Sequence, residues 1–294
     1  MLDLAIGTLT QGLIYALVAF GVYITYTILD FPDLSVDGSF PLGAAVTAVL
    51  LSRGADPYLT LLAGVGAGAL AGLCTGLIHV KLHVRNLLAG IITQTALFSI
   101  NLQIAGSNLT VDRSVDTIFS APPTMALLGG LSLMGRKLAV SLVLVLLVKL
   151  LLDVYFQTKS GLLLRAVGDN PVLVTSLAQD MGDRKILGLV LSNALVALAG
   201  CIVCHEQRSF SATMGTGQVV FGLAAVIIGI SLFRKMSFVR GTTAVLAGSV
   251  LYKICIQAAI SIGLPANLLK LVTAVLFLLV LVFSGRKGEE IIHA

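Results

Sequence analysis

Charge is what this chain has least of: Asp, Glu, Lys and Arg make up 11% of its 294 residues, while 57% are hydrophobic and mean hydropathy is +1.02. A soluble domain carries about a quarter charged residues, so that class is excluded. No non-apolar stretch is long enough to bury a core of its own, which excludes an inserted soluble domain. No GxxxxGK followed by Ser or Thr occurs, so the chain does not cradle a nucleoside triphosphate by that device. No nucleophile stands beside a base and an orienting acid, and no catalytic residue is expected. Alternating strands of about ten residues, the mark of an outer-membrane barrel, are missing. The opening MLDLAIG lacks a basic leader and no convincing small-residue cleavage site follows, so the first apolar run reads as a retained span. Cys74, Cys201, Cys204 and Cys255 all lie inside apolar runs and read as small hydrophobes, uninformative about redox compartment.

What remains is an all-α, polytopic transmembrane bundle. A spanning helix needs about 20 mostly apolar residues. Spans are predicted near 5–28, 58–80, 86–106, 138–156, 185–204, 217–233, 241–260 and 266–284, with a shorter apolar piece at 40–52. The expectation is therefore about 8–10 spans, short or broken helices included. One membrane domain covers residues 1–294, interrupted by a polar loop at 157–184. Placing loops 81–85, 157–185, 234–240 and the tail from Arg286 in the cytoplasm gives that side eleven of the nineteen basic residues. Arg53, Arg113, Arg136, Lys137 and Arg208 fall on the other side, and simple alternation then puts the N terminus outside. The net charge of +5 reflects this topology and gives no reason to invoke nucleic acid.

The loop QTKSGLLLRAVGDNPVLVTSLAQDMGDR is the one long polar stretch with its own helix signals. Asn170 followed by Pro171 is a helix start, and Gly182 is placed to end that helix in a left-handed turn. Between them Leu173, Leu177 and Met181 recur every four residues on one face. A short amphipathic helix outside the bilayer is predicted, and its lack of positive charge favours docking to a partner over lying on lipid.

Other features pull in several directions. Gly64, Gly68, Gly72 and Gly76 stack four positions without side chains on one helix face, which lets a neighbouring backbone approach and suggests a helix at the bundle centre. The segment 30–48, DFPDLSVDGSFPLGAAVTA, breaks the helix with proline and aspartate. Such irregular backbone survives at membrane depth only where protein or water covers it, although an exposed turn is the alternative. Ser35 or Asp37 is a candidate cap for the short helix that follows. Asp37, Ser39, Gln94, Thr95, Ser99 and Asn101 are the candidate lining of a translocation pathway; Gln94 and Asn101 lie two helical turns apart on one face. Interhelical hydrogen bonding is the plainer account of each, and of Asn193 and Lys253. Lys149 and Asp153 are placed to pair. VRNLLAG at 84–90 and VRGTTAVLAG at 239–248 hint at an internal repeat. CIVCH at 201–205 matches a haem c attachment pattern, but no room surrounds it for a haem domain; His79 and His83 share a face without a third ligand, so no metal is expected.

GLLLRAVGDNP, the following LAQDMGDRKILGLVLSNALVALAG, and DLSVDGSFPLGAAVTA together resemble permeases of the branched-chain amino acid and ribose type of ABC importer. The resemblance extends through nearly the whole chain, from GLIYALVAFGV to GLAAVIIGI. It implies a type II ABC importer-like fold in the bacterial cytoplasmic (inner) membrane. It implies as partners a second permease copy (a homodimer), two cytoplasmic ATPase subunits and an extracytoplasmic solute-binding protein, beside membrane lipid. This chain would hold no cofactor, ATP and Mg belonging to the ATPase. The loop helix would be the coupling helix, with Gly161, Arg165, Gly168, Asp169, Asn170 and Pro171 at the motif positions. Val174 to Ser176 and Met181 depart from the family pattern, which blurs the subfamily. Arg53, Arg113, Arg136 and Arg208 are candidates to meet acidic residues of the binding protein. The cargo is expected to be a small polar solute, an amino acid first, with a sugar, nucleoside or peptide-like cargo fitting nearly as well. Two rival classes stay open: a secondary transporter with Asp37, Glu206 or Lys253 as its ion site, and a scaffold that transports nothing.

Overall fold

The computed structural model describes residues 2–169, 174, 180–233, 239–261, 268, 271–275, 277–279 and 282. Helix α1 (Leu2–Val22) runs directly into a π-helical turn, Tyr23–Ile28. An irregular stretch leads to α2 (Val36–Ser52), followed by α3 (Pro57–Val80) and α4 (Asn86–Ala105). Strand β1 (Asn108–Thr110), α5 (Pro122–Leu128), α6 (Leu133–Tyr155) and α7 (Lys159–Asp169) come next. The chain continues with α8 (Met181–Gln207), β2 (Ser209–Ser211), α9 (Gln218–Phe233) and α10 (Gly241–Ser261).

Six helices among the described residues are long and apolar enough to cross a membrane: α1 with its π turn, α3, α4, α6, α8 and α10. Helices α2 and α9 are apolar but shorter, at 17 and 16 residues. The span predicted at 217–233 coincides with α9 to within one residue, although at 16 residues α9 is shorter than the six longer helices; Gly217, at φ +89°, turns the chain into it from the 212–217 segment. The span predicted at 266–284 is described only at 268, 271–275, 277–279 and 282, and Asn170, Pro171, Leu173 and Leu177 of the loop helix lie outside the described residues.

The centre is α8, not the glycine-striped α3. In the most apolar stretch of α8, 67% is buried, and 61% in α1, against 33% for α3. The stripe still does what close backbone approach requires. A methyl added at Gly64 would strike Cys201, at Gly68 the Ala197 side chain and Asn193 carbonyl, and at Gly72 the Leu189 carbonyl. Gly43 and Gly200 repeat the arrangement between α2 and α8, so α8 is gripped from both sides.

Two further expectations change. Gly182 does not end a helix; it lies in the first turn of α8, where its N–H donates to the capping carboxylate of Asp180 at 2.7 Å. Met181 accordingly opens α8 and does not sit on the loop helix. The CIVCH side chains are consumed by packing: Cys201 Sγ donates to the Gly43 carbonyl, Cys204 is buried, and His205 Nε2 lies 3.0 Å from Thr60 Oγ1. His79 Nδ1 lies 2.8 Å from the Val84 carbonyl, while its ring meets Phe31 edge to face.

The basic residues separate to opposite ends. Loop 81–85, α7 and Arg240 share one end, where Gly182 packs on Val80 and Arg240 bonds Asp153 near the end of α6. At the other end β1 pairs antiparallel with β2, Arg208 Nη1 donates to the carbonyls of Asp112 and Val115, and Lys137 pairs with Glu206 at 3.5 Å.

Candidate functional site

The helix-breaking segment 30–48 is covered, not an exposed turn. Asp33 is 4% exposed and Ser35 fully buried. Asp33 Oδ1 accepts from the Ser35 N–H (2.8 Å) and hydroxyl (2.6 Å), and Oδ2 accepts from Asn193 Nδ2 at 2.9 Å. Asn193 Oδ1 accepts from Ser39 Oγ at 2.6 Å, so a buried polar network pins the break to α8. A buried carboxylate without a cation is tolerable only with such bonds. Ser39 therefore belongs to this network and not to a cavity wall. The signal in the sequence was Asn193, which reads as a lone polar residue until the fold brings Asp33 beside it.

Four residues on, Asp37 turns outward from α2. The expectation that Asp37 or Ser35 caps α2 is not met: Ser35 makes no side-chain capping bond, and Asp37 caps a different helix. Its Oδ2 accepts from the Gly217 N–H at 3.0 Å and Oδ1 from the Val219 N–H at 2.8 Å, at the start of α9. Free amide groups and the positive end of the helix dipole make that position favourable for a carboxylate. Pro41 lacks an N–H, so the Asp37 carbonyl loses its partner in the α2 ladder. Two shorter apolar helices thus begin side by side, a disposition typical of transporter sites.

A cavity of about 320 Å³ opens at this junction. Asp37, Gly38 and Pro41 of α2, Gln94, Thr95, Phe98 and Asn101 of α4, and Ala212 and Thr216 line it. Asn101 Nδ2 donates to the Gly38 carbonyl at 3.1 Å, while its buried Oδ1 has no partner and is available to a donor. Of the six residues predicted for the pathway, Asp37, Gln94, Thr95 and Asn101 meet here. Ser99 is exposed and does not line the cavity, and Ser39 is in the Asn193 network.

The described part of the loop motif makes a second cluster. A methyl at Gly161 would strike the backbone of Tyr155 and Phe156, and one at Gly168 the Ile28 carbonyl. Arg165 lies over the Phe156 ring at 4.9 Å, and Asp169 ends α7, exposed. Helix α7 is thereby seated on the π-helical turn that leads into the Asp33 break.

The four arginines at the opposite end divide into two pairs. Arg53 and Arg113 are exposed. Arg136 contacts Met125 Sδ, and Arg208 holds the loop around Asp112, whose carboxyl the Ser114 N–H and hydroxyl keep below the usual carboxylate range. That use of Arg208 is internal, which leaves Arg53 and Arg113 as the arginines presented outward.

Comparison with known proteins places these features. Residues 4–281 match the family model described as branched-chain amino acid transport system / permease component. A tyrosine transport system permease protein of Clostridioides difficile is 40% identical over 93% of this chain and 88% of its own. A probable branched-chain amino acid transport permease protein of Methanocaldococcus jannaschii is 29% identical over 76% of this chain and 72% of its own. A solved inward-facing structure assigned to the metal-chelate type of ABC transporter superposes with a TM-score of 0.52 at 19% identity, covering 93% of this chain and 84% of that one. The last likeness is one of fold alone. The chain belongs to the permease-component family of the branched-chain amino acid ABC transport systems, multi-pass proteins of the bacterial inner membrane.

Proposed function

We propose that this permease carries an amino acid inward, driven by ATP hydrolysed on two separate cytoplasmic subunits and fed by an extracytoplasmic binding protein. It works as a homodimer, with its N terminus outside. The observation that carries this reading is the Asp37 junction: two uncharged amides, two hydroxyls and one carboxylate line a cavity where two shorter helices start. Such a site offers an ammonium group an acceptor without requiring a metal or an ion gradient. The tyrosine and branched-chain amino acid relatives support the cargo class.

Force would enter through α7. Gly161 and Gly168 seat this helix on the α6 end and on Ile28, so a displacement of the loop is passed to the π-helical turn. From there the Asp33–Asn193 network leads to Asp37. ATP and Mg act on the partner subunits, and this chain contributes no group to hydrolysis.

The test is co-purification with the ATPase and ATP-dependent uptake of labelled amino acid in proteoliposomes. Leu173→Asp or Leu177→Asp is expected to abolish both while leaving the permease in the membrane. Undiminished, gradient-driven uptake in the absence of any ATPase would favour a secondary transporter and end this reading.

A further inference from the structure

Lys253, midway along α10, occupies an uncommon seat. Its Nζ stands 3.3 Å from the centroid of Tyr15 and 5.2 Å from that of Phe221, so rings of α1 and α9 offer a cation their negative faces. Among the described residues it makes no hydrogen bond or ion pair. A ring occupies at most one side of an ammonium group, which has three donors. An ionisable side chain in a membrane helix without a counter-ion is a functional candidate by default.

Two cavities meet at this side chain, of about 290 Å³ and 430 Å³, sharing Lys253, Ile256 and Thr273. They differ in chemistry. The smaller is walled by the rings of Tyr15, Phe221 and Tyr252. The larger carries Glu206, Gln11 and Gln257. Glu206 makes no ion pair with Lys253 and acts on it only through space; it uses Oε1 in a 3.5 Å pair with Lys137. One cleft therefore presents a cation, a carboxylate that is not its partner, and an aromatic lobe. Thr216 lines both the aromatic lobe and the Asp37 cavity, so the cleft adjoins the pathway.

We infer that this cleft binds an α-amino acid with a large apolar side chain: Lys253 receives the carboxylate, Glu206 the ammonium, and the Tyr15–Phe221–Tyr252 lobe the side chain. This rests on the amino-acid reading above and adds where, and by which groups, the zwitterion is read. A neutral sugar would use neither charge. A free amine or a free acid would engage one of the two charged groups and forgo the contact to the other, which is why both charges are needed together.

Binding is measured on the purified full-length chain in nanodiscs by saturation-transfer NMR, with L-phenylalanine, 3-phenylpropionate and phenethylamine as probes. Uptake of labelled L-phenylalanine by cells carrying the complete transport system is followed in parallel. L-Phenylalanine is expected to bind about tenfold or more tightly than either analogue, the loss of one charge-assisted contact. Lys253→Gln and Glu206→Gln should each remove that advantage, and Lys253→Arg should keep it. Gel filtration identifies folded variants; if Lys253→Gln does not fold, Glu206→Gln decides. Equal binding of all three probes, or an unchanged advantage in a folded variant, overturns the cleft. Absence of any amino-acid uptake by the wild type overturns the functional reading beneath it instead, so the two failures are told apart.

Discussion

Helix α8 carries two kinds of structure on its surface, and they are built from opposite materials. Along α3 the contact is glycine against backbone: Gly68 and Gly72 lie on carbonyls of Asn193 and Leu189, with no side chain able to give way. Toward the segment 23–37 the contact is side chain to side chain, through Asp33, Ser35, Ser39 and Asn193, across a π-helical turn and a helix break. Asn193 belongs to both, its carbonyl to the seam and its amide to the network. A seam without adjustable parts moves as one body. A break held by exchangeable hydrogen bonds is where rearrangement concentrates.

The sharpest way to break this contrast is in the seam. Gly68→Val would drive methyl groups into Ala197 and the Asn193 carbonyl, neither of which can retreat without moving α8. A loss of about 3 kcal/mol or more is expected, at the upper end for overpacking, seen as a collapse of thermal stability in detergent. Gly66, two residues away, has nothing within 4 Å of an added methyl, and Gly66→Val should change stability by about 0.5 kcal/mol or less. Equal losses at both positions would show that the seam is not specially rigid.

This seam was legible in the sequence because four glycines at helical spacing form a local pattern. So was the polar face of α4, since Gln94 and Asn101 lie two turns apart on one helix. The break at Asp33 was visible as a break, but its partner was not: Asn193 is 160 residues away, and no spacing rule connects them. Asp37 misled for the same reason. A carboxylate just inside a helix start suggests a local cap, yet the free amides it satisfies belong to Gly217 and Val219, brought alongside only by tertiary packing. The extent of α9 was legible as an apolar run, but the turn into it was not, since Gly217 is one of many glycines and composition alone does not reveal its positive φ. Lys253 read as a single polar residue until the fold set Tyr15 and Phe221 around it.

On the other side of the comparison, Asn193→Leu removes the donor to Asp33 Oδ2 and the acceptor of Ser39. About 2 kcal/mol of stability should go with these buried bonds. Uptake should fall further than stability, because the break would lose its tie to α8. Thermal unfolding and transport measured on the same preparation separate the two. A stability loss with normal uptake would mean that the network only braces the fold.

A milder test lies at the end shared with α7. Asp153 is 7% exposed and accepts from Lys149 at 2.8 Å and Arg240 at 3.2 Å, with Thr242 also bonded, joining α6 to α10. Asp153→Asn keeps a hydrogen-bonding group but removes the charge, and about 1 kcal/mol is expected from thermal unfolding. Arg240 is 61% exposed, so salt should weaken its arm, and the difference between wild type and variant should shrink as ionic strength rises. A difference independent of salt would assign the effect to Lys149 and Thr242 alone.

A small stability change is expected where a large functional one is. The amide of asparagine has a single acceptor oxygen, so Asp37→Asn keeps one of the two bonds to Gly217 and Val219 and should cost about 0.5 kcal/mol. Asp37→Ala gives up both bonds and should cost about 1 kcal/mol. If the carboxylate only caps α9, uptake follows stability: the asparagine variant transports normally and the alanine variant slightly less. If its charge faces the passing ammonium group, uptake falls by about tenfold in both, regardless of their different stabilities. The asparagine variant decides, because it keeps a bond from α2 to the start of α9 while removing the charge from the cavity.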